Sequence, residues 1–376
     1  MRKLIRRYYQ FKIIALLAIT KVISLFHKES YWVLHERGTD ARDNAYVFYK
    51  YLKEKHPEQK VRFIIDKNSP DFHKVKTDAI HFGSLKNYWA IATAEKIIST
   101  HVYFGLPHMN QKLFRLFELN QKFCFLQHGV IQCNMPSLCF DQAAVRLFIC
   151  GAKPEWEHIN GEFGYPPGIV RYTGLARHDN LHDIETKRQI LVMPTWRMYI
   201  SDEKDFLASE YYNQWNGFLS DPKLSEYLEK NDLTLVFYPH FEMQKYLHWF
   251  HSGDKRIILA DFANFDVQTL LKESKLLVTD YSSVFFDFAY MRKAVVYFQF
   301  DTDDFFSKHY GRGYFSFSEM GFGPVVNNVE DLIQGISHSM NNGFNPTGKY
   351  RKRMEEFFPL YDRENCERIY DAICSI

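Results

Sequence analysis

The sequence predicts an α/β protein of two doubly wound, Rossmann-like domains, and three features point there. Short β-rich runs alternate with amphipathic helical stretches, which implies βαβ units and a parallel sheet. The alternation runs once, breaks and starts again. The 376 residues suffice for two buried cores.

Residues 1–28 come first and read as a basic amphipathic helix. They hold Arg2, Lys3, Arg6, Arg7, Lys12, Lys21 and Lys28 and no acid, whereas the whole chain balances 47 Lys and Arg against 45 Asp and Glu. At about 100° per residue all of these but Lys12 fall in one stripe, with Phe11, Ile19, Val22, Ile23 and other apolar residues on the remaining faces. The apolar stretch 13–19 is far short of the roughly 20 residues a bilayer span needs, and no small-residue cleavage site follows it. The pattern therefore predicts a helix lying in an anionic membrane surface. The alternative is a first helix that packs its apolar side on the domain core.

The first strand series follows at 31–34, 61–65, 79–82, 96–99, 123–126, 146–150 and 170–173, with helical patterns such as 44–55 and 85–95 between. The polar, glycine-containing stretch 174–185 marks the join. A second series occupies 190–193, 234–238, 256–259, 276–278 and 295–299. The pieces 348–358 and 362–374 read as helices that cross back to the first domain. The predicted domains are 1–28, 29–178, 179–345 and 346–376. The two large ones are expected to face each other across a cleft at the carboxyl ends of their strands, where such sheets bind ligands.

With 46% hydrophobic and 24% charged residues the composition excludes a disordered chain and a polytopic membrane protein, and a net charge of +2 removes the global reason to expect nucleic acid as a partner. The six cysteines contain no CxxC pair, which argues against a zinc site and for buried, reduced thiols. No Walker loop, dinucleotide fingerprint, nucleophile elbow or HExxH motif occurs. No metal and no cofactor are expected.

The sharpest local signal lies at 276–301. A buried strand ends in the polar turn Thr279, Asp280, Tyr281, Ser282, Ser283, and a helix starts there. Hydroxyls and free N–H groups at such a turn suit a phosphate, and Asp287, one turn on, suits sugar hydroxyls. The competing reading makes Ser282 a plain cap and Asp287 a partner of the helix dipole. His128, in LQHGV, and His240, in FYPH, each stand directly after a strand, one in each domain. A lone histidine there is commonly structural, but two at equivalent strand ends point to chemistry. Thr195 and Arg197, in LVMPTWR, offer a guanidinium at a third strand end, as a phosphate clamp or as one half of an ion pair.

The ordered set WVLHERGTDARDNAYVFYKYL, LQHGV, TGLARHDNL, LVMPTWR, FYPH, VTDYSSVFFDFAYMRKAVVYF and GRGYF with GFGPVV resembles the CDP-glycerol glycerophosphotransferase family of teichoic acid and capsule synthesis, over about residues 31–332. The resemblance implies a GT-B-type fold, peripheral attachment to the inner face of the bacterial membrane, and transfer of a polyol phosphate from CDP-glycerol or CDP-ribitol to an acceptor hydroxyl on a lipid-linked saccharide or polyol-phosphate chain, with release of CMP. It implies that His128 and His240 are the family's two histidines and that Ser282 and Ser283 are its phosphate-binding serines. The stretch QHGVIQ stands where many members have a WHGTP-like sequence, a difference on the acceptor side. Two other classes fit the same architecture, a sugar transferase using a nucleotide sugar and a non-catalytic membrane-bound scaffold.

For a transfer of this kind, the expected general base is His128. Arg197, His240, Thr279, Ser282 and Ser283 would neutralise phosphate charge, and Asp287 would hold ribose or polyol hydroxyls. Glu36, Arg37 and Asn44, at the first strand end and the next helix start, are the candidate acceptor-side residues.

Overall fold

The computed structural model describes residues 2–24, 30–102, 105–309 and 311–376, and the side chains from residue 10 onward apart from 12, 21 and 24. The contacts divide the chain into two compact units. One is Met1–Val130, Met135–Asn180 and Asp362–Ile376, and the other is Ile131–Asn134 and Leu181–Tyr361.

The first unit carries seven parallel strands: β1 (Trp32–His35), β2 (Val61–Ile65), β3 (Ala79–His81), β4 (Lys96–Ser99), β5 (Phe123–Phe125), β6 (Leu147–Cys150) and β7 (Val170–Tyr172). Their order is β3-β2-β1-β4-β5-β6-β7. The strands read as continuous apolar runs because helices cover both faces, and Trp32, Phe48 and Phe63 are fully buried among them. Each such side chain contributes about 1.5–3 kcal/mol over an exposed one.

The second unit repeats the plan with β8 (Gln189–Met193), β9 (Thr234–Phe237), β10 (Ile257–Leu259), β11 (Leu276–Thr279), β12 (Ala294–Phe298) and β13 (Val325–Val326). Its parallel order is β10-β9-β8-β11-β12-β13. Trp215, Phe218, Phe237 and Phe298 build its core. In both units the winding reverses beside the first strand, between β1 and β4 and between β8 and β11. That reversal opens a crevice at the carboxyl ends of those strands.

Of the two C-terminal helices, Gly348–Phe357 stays with the second unit and only Asn365–Cys374 belongs to the first. Asp179 anchors the latter by accepting from the N–H groups of Asn365 and Cys366, each at 2.9 Å. Gly174 makes this docking possible: at φ +79° it also lies so close that a Cβ there would stand 1.8 Å from Asn365 Oδ1.

The first helix, Arg2–Ser24, packs on the Leu85–Thr93 helix. It buries Ile13 and Leu17, two apolar residues that helical spacing places within the basic stripe. Phe11, Ile19, Val22 and Ile23 remain exposed, Phe11 at 73%. The expectation that a core-packed helix would bury that apolar side is corrected: the opposite side is buried. The side chains of Arg2, Lys3, Arg6, Arg7, Lys12 and Lys21, and all of Lys28, lie outside the described residues. Among the described residues no helix is long and apolar enough to cross a membrane.

Candidate active site

In the first unit the polar groups gather where β1, β4 and β5 end. Glu36 follows β1 and turns inward, 2% exposed, accepting from the backbone N–H of Arg42, Asp43 and Tyr46 at 2.9–3.0 Å. It fixes the start of the Asn44–Lys55 helix, whose N-cap is Asp43. Burial and the nearby Asp43 push its carboxyl pKa up, while the three N–H donors oppose them. Asn44, fully buried, donates from Nδ2 to Gln127 O at 2.8 Å and accepts from Arg177 N at 2.9 Å. Two of the three residues expected on the acceptor side, Glu36 and Asn44, are therefore committed to holding the loops. Arg37 differs: it is exposed, and its Nε donates to His101 Nε2 at 3.4 Å.

His128 follows β5 through Gln127, which takes a left-handed φ of +60°. That conformation is costly for a residue with a Cβ. It is held by Gln127 Nε2 donating to Ile149 O at 2.5 Å. Arg177 secures the turn from the other side, its Nη1 donating to the His128 carbonyl at 2.5 Å and to Asp43 Oδ1 at 2.8 Å. The His128 ring stacks on that of His101, with centroids 4.9 Å apart and planes at 18°.

His128 is exposed, yet the protein packed around its ring desolvates it enough to lower its pKa. Asp43 opposes that shift; Arg177 and Arg37 add to it. The pKa of His101 is lowered too, by burial first and then by His128, Arg37 and His35. Accepting from Arg37 at Nε2, the neutral His101 ring carries its proton on Nδ1, 2.8 Å from Thr100 Oγ1. Both imidazoles are thus neutral near pH 7, the form a base requires. His101 escaped the sequence reading, although the same strand-end rule, applied to β4, selects it.

In the second unit β8, β9 and β11 end together. His240 is exposed and caps the Phe241–Trp249 3₁₀ helix, its Nδ1 accepting from Glu242 N–H at 3.3 Å. An accepting Nδ1 leaves the proton of the neutral ring on Nε2. Trp196 stacks beside it at 6.0 Å and meets His309 edge-on at 4.8 Å. Ser282 and Ser283 are half-buried, and Ser283 opens the Val284–Tyr290 helix without a side-chain cap bond. Among the described residues neither serine hydroxyl is engaged in a hydrogen bond.

Three other residues expected on the donor side are corrected. Arg197 is fully buried: Nε and Nη2 bond the two oxygens of Asp301 at 2.7 and 3.0 Å, Nη2 lies 2.9 Å from Asp280, and Nη1 donates to Thr195 O at 2.7 Å. Burial pulls its pKa down and the two carboxylates more than offset that, so it stays charged. With its donors engaged and no exposure it braces the turn instead of clamping a ligand. Thr279 is also fully buried, and its hydroxyl donates to Met193 O across the β8–β11 pair at 2.6 Å. Asp287 is 2% exposed and so presents almost no surface to a ligand. No cluster of His, Cys, Asp or Glu able to hold a metal ion occurs among the described residues.

With this geometry in hand, known proteins give the chain its kin. The family model described as CDP-glycerol:poly(glycerophosphate) glycerophosphotransferase matches residues 17–149 and 174–375. The minor teichoic acid biosynthesis protein GgaB of Bacillus subtilis is 33% identical over 372 residues, covering 94% of this chain and 41% of GgaB. The teichoic acid poly(glycerol phosphate) polymerase of the same organism is 25% identical over 351 residues, covering 85% of this chain and 44% of the polymerase. The chain thus spans less than half the length of these two relatives. The structure of the wall teichoic acid polymerase TagF superposes on all of this chain and 97% of its own at a TM-score of 0.70 and 16% identity, a likeness of fold. The family match takes in strands of both sheets, both strand-end histidines and both serines, and the chain belongs to the CDP-glycerol:poly(glycerophosphate) glycerophosphotransferase family.

Proposed function

We propose that the chain transfers a polyol phosphate, glycerol phosphate in the first instance, from a CDP-polyol to a hydroxyl of a lipid-linked saccharide or growing polymer in teichoic acid or capsule synthesis. The observation that carries this reading is His128, an exposed, neutral imidazole stacked on His101 at the carboxyl end of a parallel strand. In the reaction an imidazole nitrogen of His128 takes the acceptor's proton as its oxygen bonds the distal phosphorus. The bond from that phosphorus to the bridging oxygen breaks, and CMP leaves with the electron pair. The hydroxyls of Ser282 and Ser283 and the Nε2–H of His240 donate to phosphate oxygens, lowering the charge that builds up. The names of the relatives support a CDP-polyol in either of two forms, since they include both glycerol phosphate and ribitol phosphate enzymes.

Incubation with CDP-glycerol, CDP-ribitol and UDP-sugars plus lipid-linked acceptors, followed by nucleotide chromatography, tests the reading. CMP from a CDP-polyol is expected. UDP released from a UDP-sugar, with both CDP-polyols inert, would replace it with a sugar transferase, and no turnover of any donor would favour the scaffold.

Peripheral attachment to an anionic membrane, on its cytoplasmic side, belongs to the same proposal. It is supported by the apolar side chains of Phe11, Ile19, Val22 and Ile23, exposed on a helix whose opposite side is already packed.

A further inference from the structure

At the free edge of the first sheet, beside β7, lies an open groove of ≈ 490 Å³. The Lys153–Glu162 helix and the turn before β7 form its walls, and Lys153, Trp156, Asn160, Tyr165, Arg171 and Tyr172 carry its chemistry. Two of its aromatic rings are fixed from behind. Trp156 Nε1 donates to Val170 O at 3.3 Å, which holds the indole against the edge strand. Tyr165 donates to Leu138 O at 2.9 Å and wedges its ring edge-on between Phe140 and Phe148. Lys153 and Arg171 are exposed, and no Asp or Glu lines the groove. Glu157, one turn along the same helix, stands 4.0 Å from Lys153 and offsets part of its charge, which leaves the exposed Arg171 as the stronger cation of the groove. The Arg171 guanidinium lies beside the turn at Gly168, whose φ of +84° is a conformation that glycine favours.

The half-buried rings of Trp156 and Tyr172, set beside the exposed Arg171 guanidinium and the partly offset Lys153 ammonium, suit a ligand that alternates apolar carbon–hydrogen faces with phosphates. We propose that this groove is a holding site for the already elongated part of the acceptor, a phosphate-bearing polyol or saccharide chain, separate from the strand-end residues that react. The proposal rests on the transferase reading above for the identity of its ligand. Charge selects the occupant: a neutral glycan would use the aromatic faces and ignore the cations, whereas a phosphodiester chain uses both.

Calorimetric titration with a synthetic glycerol phosphate hexamer, beside uncharged maltohexaose, tests it, with tryptophan emission as a second readout. The hexamer is expected to bind wild type more tightly as salt falls and to quench emission, and the quench is expected to vanish in Trp156→Phe. Because Lys153 and Arg171 are exposed, Lys153→Glu with Arg171→Glu should fold normally and bind the hexamer about tenfold more weakly or worse, with CDP binding unchanged. Undiminished hexamer binding in the double variant, a quench that survives Trp156→Phe, or maltohexaose binding as tightly as the hexamer would each overturn the proposal. Release of CMP from CDP-glycerol with a single-unit soluble acceptor, measured in parallel, tests the transferase reading separately, since it does not require an elongated chain.

Discussion

The imidazoles of His101 and His128 stack at 4.9 Å, with the Arg37 guanidinium donating to the outer nitrogen of His101. Burial disfavours a proton on either ring, and the Arg37 guanidinium adds to that resistance in both.

His128→Ala is expected to lower turnover about 100-fold or more, as loss of a positioned base does. Arg37→Gln removes a cation that depresses the His128 pKa, so that pKa rises and the acid limb of the kcat/KM profile moves to higher pH. A limb that stays in place, or moves down, would take His128 out of the rate-determining ionisation.

Arg197→Met leaves Asp280 and Asp301 buried without their cation, a loss of about 3–5 kcal/mol for a broken buried pair. Urea unfolding measures it. A stable variant whose only defect is weak donor binding would return Arg197 to the phosphate-clamping role.

Ser283→Ala should leave stability unchanged, because the hydroxyl caps nothing. If it meets a charged phosphate, affinity for CDP and CMP falls by about 1.5–3 kcal/mol while cytidine is unaffected. Equal losses for all three ligands in calorimetry would assign the serine to the base pocket or the fold.

Phe11→Glu with Val22→Glu changes only exposed positions of the first helix, so folding should survive and sedimentation with anionic vesicles should fall. Deleting residues 1–28 is the poorer experiment, since it also strips Ile13 and Leu17 from the Leu85–Thr93 helix. Full vesicle binding by the double variant would place membrane contact elsewhere.

His35 is buried and its pKa is lowered from 6.5 to about 4, by burial against a weaker opposing bond to Glu36 O. A depressed folded-state pKa means that the unfolded chain takes up the proton first. The stabilisation is therefore complete above pH 6.5 and is lost as pH falls towards 4, at about 1.4 kcal/mol per pH unit. Thermal melts across that range should show the decline, and His35→Gln should flatten it.

The strands were legible because parallel strands covered on both faces are continuous apolar runs, and β2 and β4 run where the pattern put them. β13 was not: two residues, Val325–Val326, carry no periodicity, and only pairing with β12 makes them a strand. The donor side misled at Arg197 for a related reason. A cation after a strand end looks like a ligand clamp, and its true partner Asp301 stands 104 residues away, joined to it only by the fold. Glu36 and Asn44 misled similarly, because a polar residue that braces a loop and one that meets a ligand have the same local sequence. The strand-end histidines were legible because position after a buried strand is itself a structural coordinate.

Thr279 and Asp280 are buried and tied to the neighbouring strand, Thr279 through Met193 O and Asp280 through the Thr195 N–H at 2.8 Å. These two rivets cross between β8 and β11 at the place where a doubly wound sheet parts. The ends of those strands are thereby locked at a set spacing before any ligand arrives. If a nucleotide docks above them, as the proposed reaction requires, it finds its floor rigid, so little of its binding energy is drawn off to order the backbone. Amides of Thr195 and Tyr281, both donors to Asp280, should accordingly be among the slowest in the unit to exchange with deuterium, and no faster without nucleotide than with it.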